Sequence, residues 1–274
     1  MTVFVLLVLL QIQSAATSPG QSLPLEQILA KVALNQSSAQ QARALYLYTQ
    51  RLHVRFRKHN GALVREEARE YRIAPAPNGI NKSLIDLHGR YARGSEFFAY
   101  DKPDFQYKGI DVDGMLANSF ADDFTNDKES KDGIGSDLFP LTAKEQAKYI
   151  FTMRAKEQYK GRDVYRIAFR PRPHKDGDWA GEAIIDAEDC QPLAVHTKLA
   201  YGVPVAVKAL LGSNVHGLGF SITYRKVDDV WFPETYGGEF SLRVLFGYRR
   251  NISIDMVNSD FVRARVDSTI EFAH

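Results

Sequence analysis

Residues 148–199 constrain this chain more than any other stretch, because apolar and polar side chains alternate there with period two. Tyr149, Phe151, Met153 and Ala155 fall on one side, against Lys148, Thr152, Arg154 and Lys156 on the other. After a turn at Lys160-Gly161-Arg162, Tyr165, Ile167 and Phe169 share a side opposite Arg166, Ala168 and Arg170. Successive side chains of a strand point to opposite faces, so the spacing predicts antiparallel strands that bury one face of a sheet. Residues 180–186 and 192–199 add another hairpin around Ala187-Glu188-Asp189-Cys190. Any function has to be built on the apolar side of this sheet.

The same alternation returns at both ends. Tyr46, Tyr48, Leu52, Val54 and Phe56 share a face opposite Arg51, His53, Arg55 and Arg57, and Asn60-Gly61 supplies a tight hairpin turn. The return strand, residues 63–73, carries Arg65, Glu66, Glu67, Arg69 and Glu70. That density of charge predicts an edge or solvated outer strand whose acids pair with the arginines across the hairpin. Further on, Leu218, Phe220, Ile222 and Tyr224 alternate, Asp228-Asp229 turns, and residues 230–236 return. Phe240, Leu242, Val244, Phe246 and Tyr248 form one face of a next strand, followed by Ile252, Ile254 and Met256 and by an end segment with Val262, Ala264, Val266, Ile270 and Phe272. About ten antiparallel strands result, and a sheet of that size normally curls or closes. The fold class is mainly β (α+β).

The remaining segments are read as follows. Residues 3–10 are an apolar run too short for a stable span, leading to Ser14-Ala15-Ala16. This predicts a signal peptide cleaved near Ala16, with an uncleaved anchor or a buried strand as alternatives, and places the protein in the periplasm. Cys190 is the sole cysteine, so the fold is held by its core and not by a disulfide. Ser22 and Pro24 open a helix over about residues 24–35, with Leu25, Ile28, Leu29 and Val32 on one stripe. Pro75, Pro77 and Gly79 break the sheet, and residues 80–147 read as a long irregular insertion with short elements near 84–87 and 97–100. Its loop with Asp122, Asp123, Asp127, Asp132 and Asp137 is interrupted by Lys128 and Lys131, which is not EF-hand spacing. Residues 201–211, with Val203, Val205, Ala206, Leu210 and Leu211, predict an apolar plug for the sheet.

A formal net charge of +2, with both signs interleaved, argues against a nucleic-acid surface. At 274 residues and 45% hydrophobic content, residues 17–274 are expected to form a single domain, and a monomer. The seven histidines never occur as H-x-x-x-H or H-x-H, and there is no G-x-S-x-G elbow, Walker loop or G-x-G-x-x-G. No metal, no cofactor and no catalysis are expected. Glu182, Asp186, Glu234 and Glu239 are read as outward charges of alternating strands.

Three segments carry a family resemblance: Gly161-Arg162-Asp163-Val164-Tyr165-Arg166-Ile167, then Trp179 through Ile184-Ile185-Asp186 to Pro192-Leu193, then Asp229-Val230-Trp231-Phe232-Pro233. This pattern resembles the LolA-like superfamily of periplasmic lipoprotein carriers and outer-membrane lipoprotein-sorting proteins, over residues 148–235 and more loosely over the first helix and hairpin. The resemblance implies an antiparallel half-open β-barrel with helices lidding a concave apolar cavity that takes an acyl chain, lipid or lipoprotein. At about 0.8 kcal/mol per buried CH₂, a long chain offers on the order of 10 kcal/mol without a charged anchor. The candidate lining is Tyr149, Phe151, Met153, Tyr165, Ile167 and Phe169, with Phe220, Ile222, Phe246 and Tyr248. The alternative is an envelope structural or protein-interaction module whose barrel is filled by these side chains and whose strand edge does the binding.

Overall fold

A computed structural model describes residues 23–76, 79–107, 109, 111–123, 141–173, 179–199, 214–216, 219–243 and 247–264. The expected leader, the plug at 201–211, Phe246 and the end of the chain beyond 264 lie outside the described residues. In chain order the elements are α1 (Leu25–Arg43), β1 (Tyr46–Arg57), β2 (Leu63–Ala76), β3 (Gly79–Arg93), β4 (Glu96–Tyr100), α2 (Val112–Asp123) and α3 (Ala143–Gln146). Then come β5 (Tyr149–Tyr159), β6 (Arg162–Pro171), β7 (Trp179–Asp186), β8 (Pro192–Leu199), β9 (Asn214–His216), β10 (Gly219–Val227), β11 (Val230–Arg243) and β12 (Arg249–Arg263).

All twelve strands belong to one sheet in the order β4-β3-β2-β1-β12-β11-β10-β8-β7-β6-β5, with β9 on β11. Every pairing is antiparallel. Among the described residues β4 and β5 do not pair with each other, so the sheet is open, and it curls around the helices. The predicted turns have the backbone their residues allow. Lys160 and Gly161 (φ 49° and 79°), and Asp228 and Asp229 (φ 48° and 63°), are consecutive left-handed residues, the form whose twist suits a two-residue hairpin.

The sheet exceeds the expected strand count because residues 79–100, read as irregular, form β3 and β4. Period two is hidden in β3 by a register shift at Glu70/Tyr71, where Tyr71 faces Leu84 and Glu70 faces Asp86, leaving Ile85 as an extra residue. Conversely, residues 230–236 and the segment beginning at Phe240 are one strand. Gly237-Gly238 does not interrupt β11; a side chain at Gly238 would begin 2.6 Å from the Phe220 ring, so the glycine makes room for the neighbouring strand's aromatic.

β2 departs from expectation in a way that matters for the site. It is an interior strand between β1 and β3. Arg51 does pair with Glu70 across the hairpin, at 2.7 Å, but Arg55 pairs with Asp255 of β12 and Glu66 with Arg90 of β3. A strand with two neighbours divides its ion pairs between them.

α1 starts after Pro24, which makes no side-chain cap bond, and runs to Arg43, well past residue 35. Ile28 and Val32 are fully buried in the main core, each worth about 2 kcal/mol of transfer free energy. The stripe continues as Gln36, Ala39 and Arg43, which is why hydropathy alone ends the helix early. Polar side chains of this half of the helix bond to the β7–β8 turn and to β11: Gln36 Nε2 donates to Gln191 Oε1 at 2.5 Å, Asn35 Nδ2 to the Asp189 carbonyl at 2.8 Å and Arg43 Nη1 to the Trp231 carbonyl at 2.9 Å. Gln146 Nε2 donates to the Leu29 carbonyl at 2.9 Å, tying α3 to the same helix.

Candidate ligand-binding face

The strand registers line up six of the predicted residues, Phe151, Met153, Ile167, Phe169, Phe220 and Ile222, in two rows across the sheet. One row runs Met153, Ile167, Ala183, Val195, Ile222, Tyr236, Met256, Leu52. A second runs Phe151, Phe169, Gly181, Thr197, Phe220. Tyr149, Phe151 and Phe169 form an aromatic group, with Tyr149 edge-on to Phe169 at 5.9 Å between centroids.

Burial divides the candidates. Tyr149, Tyr165, Ile167, Phe169 and Ile222 are buried within the main core, and Phe220 is buried with its ring edge-on to Trp179 at 5.7 Å. Phe151 and Met153, on β5 at the end of the sheet, are only half-buried and pack against that core. Leu25 and Leu29 of α1 are also half-buried against the same core. Tyr248 stands apart from the two rows: its hydroxyl donates to Asp113 Oδ1 at 2.5 Å, which ties it to a polar cluster.

That cluster occupies the other end of the same face. Phe56, Val54 and Leu52 of β1 lie opposite Arg65, Glu67 and Arg69 of β2, so these three charged side chains point inward, and all are nearly inaccessible. Arg65 Nη1 donates to Asp111 Oδ2 at 2.6 Å and its Nε to the Tyr100 hydroxyl at 2.7 Å. Tyr100 in turn donates to Glu67 Oε2 at 2.6 Å. Arg69 bonds both Glu67 and Asn118 of α2. Arg250 of β12 grips Asp113 with Nε and Nη2 at 3.0 and 3.1 Å. Lys82 Nζ reaches the Ala121 carbonyl at 3.3 Å and lies 3.7 Å above the Tyr71 ring.

α2 is therefore a strap across β1, β2 and β12. Its apolar side chains Leu116, Ala117 and Ala121 are buried, and Phe120 meets Phe240 edge-on at 5.9 Å. Asp111 caps its first turn, accepting from the Gly114 N–H at 2.9 Å while it holds Arg65.

Burial and pairing set the ionisation of the cluster. Burial works against the Arg65 cation, but Tyr100 and Asp111 hold its pKa above the ordinary arginine value. Burial likewise raises Asp111, and is outweighed by the Tyr107 and Gly114 N–H groups and by Arg65, so its carboxyl lies below the usual range. Burial, then the charges of Glu67 and Asp113, push the Tyr100 and Tyr248 hydroxyls upward. Burial pushes the Lys82 ammonium down to about 8.

Of the carboxylates expected to be outward charges, Glu239 is exposed on β11 and two others have structural partners. Glu182 pairs with Arg166 and Glu234 with Arg225, both at 3.2 Å. Asp186 is buried instead: it accepts from the Glu188 and Asp189 N–H groups at 3.0 and 2.7 Å and pairs with Arg162, which closes the β7–β8 turn.

The inward charges of β2 were the part the sequence reading missed, and a signal for them exists. Tyr71 and Ile73 share the odd parity of 65, 67 and 69, so the apolar end of the strand already says which way the arginines point.

No family model matches this sequence, and neither does any curated protein. Solved structures do. An outer membrane lipoprotein-sorting protein domain from Vibrio parahaemolyticus matches at 12% identity over 86% of this chain and 92% of that one, with a TM-score of 0.37. A LolA superfamily protein from Nitrosomonas europaea matches at 10% identity over 85% and 94%, with a TM-score of 0.34. The complex of MucA and MucB from Pseudomonas aeruginosa matches at 10% identity over 83% and 94%, with a TM-score of 0.24. LolA-superfamily and lipoprotein-sorting proteins, whose motifs residues 161–233 resemble, are thus among the structures similar to this chain. At these scores nothing about ligand or partner passes from them to it.

Proposed function

We propose that this protein is an exported, non-catalytic binding protein of the bacterial envelope that holds an acyl chain, lipid or lipoprotein against the concave face of its sheet, for transport or sensing. The observation that carries the reading is the division within the apolar rows. Their middle is solid core, while Phe151 and Met153 remain half-buried at the β5 end. An acyl chain entering there replaces water on apolar atoms already aligned with the core, at about 0.8 kcal/mol per buried CH₂. The binding residues of this reading are Phe151 and Met153 at the mouth, with Tyr149, Tyr165, Ile167 and Phe169 behind them. Uptake of a fluorescent fatty acid tests it. F151E is expected to abolish uptake and leave the unfolding midpoint close to that of wild type, whereas F169E, in the solid core, is expected to unfold the protein. Unfolding of F151E as well would show that the β5 end is core and not a mouth.

A second reading, a protein-interaction module, is favoured by one observation. β4 ends the sheet with Phe97 and Phe98 exposed at 45% and 37%, a strand edge suited to receiving an added strand. It predicts no uptake of the fatty acid by wild type, which the same assay reads.

A further inference from the structure

The polar cluster has its charges sorted by element. On the sheet stand Arg65, Arg69, Lys82 and Arg250 with one carboxylate, Glu67. The balancing carboxylates belong to the strap: Asp111 at its cap and Asp113 in its first turn hold Arg65 and Arg250, and Asp122 lies close enough to Lys82 to act on its charge. Burying ions costs more than burying apolar groups of the same size, so such a cluster is weak as a stability device. Its partition is informative instead: with the strap lifted, the sheet presents four cations against one carboxylate, at the far end of a continuous apolar face. The strap's Asp111 and Asp113 carboxylates occupy the positions an anionic ligand group would take, with Arg250 offering the two-pronged geometry that suits a carboxylate or phosphate.

We infer that Arg65, Arg69 and Arg250 form a head-group site for an anionic amphiphile, an acyl-chain ligand bearing a phosphate or carboxylate that displaces Asp111 and Asp113. The inference rests on the acyl-binding reading above for the class of ligand and adds its charge; the chain of this amphiphile lies at the strap, against Leu52, Val54 and Phe56 of β1, in place of Leu116, Ala117 and Ala121, and not at the β5 end. In the unliganded protein the strap's carboxylates hold the site closed by standing in for the head group.

The test uses the full chain and two fluorescent lipids with identical acyl chains, one phosphatidylglycerol and one phosphatidylcholine, each presented in phosphatidylcholine vesicles. Wild type is expected to bind the phosphatidylglycerol probe about tenfold more tightly, the scale of one charge-assisted hydrogen bond. D113N removes the internal competitor and is expected to raise that preference; R250Q, at a less buried arginine, is expected to erase it. Each variant's melting curve is recorded, and D111N serves in place of D113N should the latter not fold. Equal binding of both probes by wild type, or a preference that neither substitution moves, overturns the head-group site and leaves the acyl-binding reading standing. Binding of neither probe overturns both. Glycerol phosphate alone, if it competes as well as the intact lipid, makes the ligand a soluble phosphate and overturns the amphiphile.

Discussion

Gly89 has no side chain because the Tyr100 ring lies where one would begin, 2.1 Å from the position of a Cβ. The ring is held that close by what its hydroxyl does, bridging Arg65 and Glu67 in a region closed to water. Y100F keeps the ring and removes the bridge, leaving a buried donor and a buried acceptor each one partner short. It is expected to lower stability by about 1–3 kcal/mol, read from the urea midpoint. G89A pushes the ring away and is expected to cost a similar amount by overpacking, about 1–3 kcal/mol. Neither residue is legible as important from the sequence. A glycine and a tyrosine eleven positions apart acquire a joint role only through the β3–β4 register, and a hydroxyl between two ions leaves no hydropathy signature.

At the scale of the element, α2 is fixed along its length, by Asp113 to Arg250, by Asn118 to Arg69 and by the Ala121 carbonyl to Lys82. The last contact has a pH signature. Folded, Lys82 is pushed down to about 8 by burial; unfolded, it titrates near 10.5. Between these values the unfolded chain binds more protons, so stability rises with pH across that window. Above pH 10 the buried hydroxyls of Tyr71, Tyr100 and Tyr248, all raised, act in the opposite sense. Urea unfolding at about pH 7.5 and about pH 9.5 is expected to show a rise for wild type that K82M lacks; equal slopes would mean that Lys82 is solvated. Elements were read well where one face is apolar throughout, as in β5 and β6, and poorly where polarity and burial part company. The second half of α1 buries Gln36 against the Gln191 side chain and Arg43 against the Trp231 carbonyl, β3 hides its alternation behind an extra residue, and β2 buries ions that look like surface charge.

For the molecule as a whole, the order of strands follows from the hairpins, each neighbour pair among the described strands being consecutive in sequence except where β1 closes on β12, β8 on β10 and β9 on β11. The β1–β12 pairing joins the first and last of the described strands, and sequence alternation carries no information about it. It also brings Arg250 beside α2, so the polar end of the concave face exists only in the assembled sheet. The apolar end was legible: its six residues on β5 and β6 are the ones the period-two pattern selects, and the register places four of them, Phe151, Met153, Ile167 and Phe169, in two rows. The central claim is that this face takes an acyl chain at its β5 end. Native mass spectrometry of the protein purified from a bacterial host tests it most directly. The account predicts a population heavier than the bare chain by the mass of an acyl lipid, lost on organic extraction and absent from F151E. A single species at the mass of the polypeptide, unchanged after incubation with lipid, would contradict it.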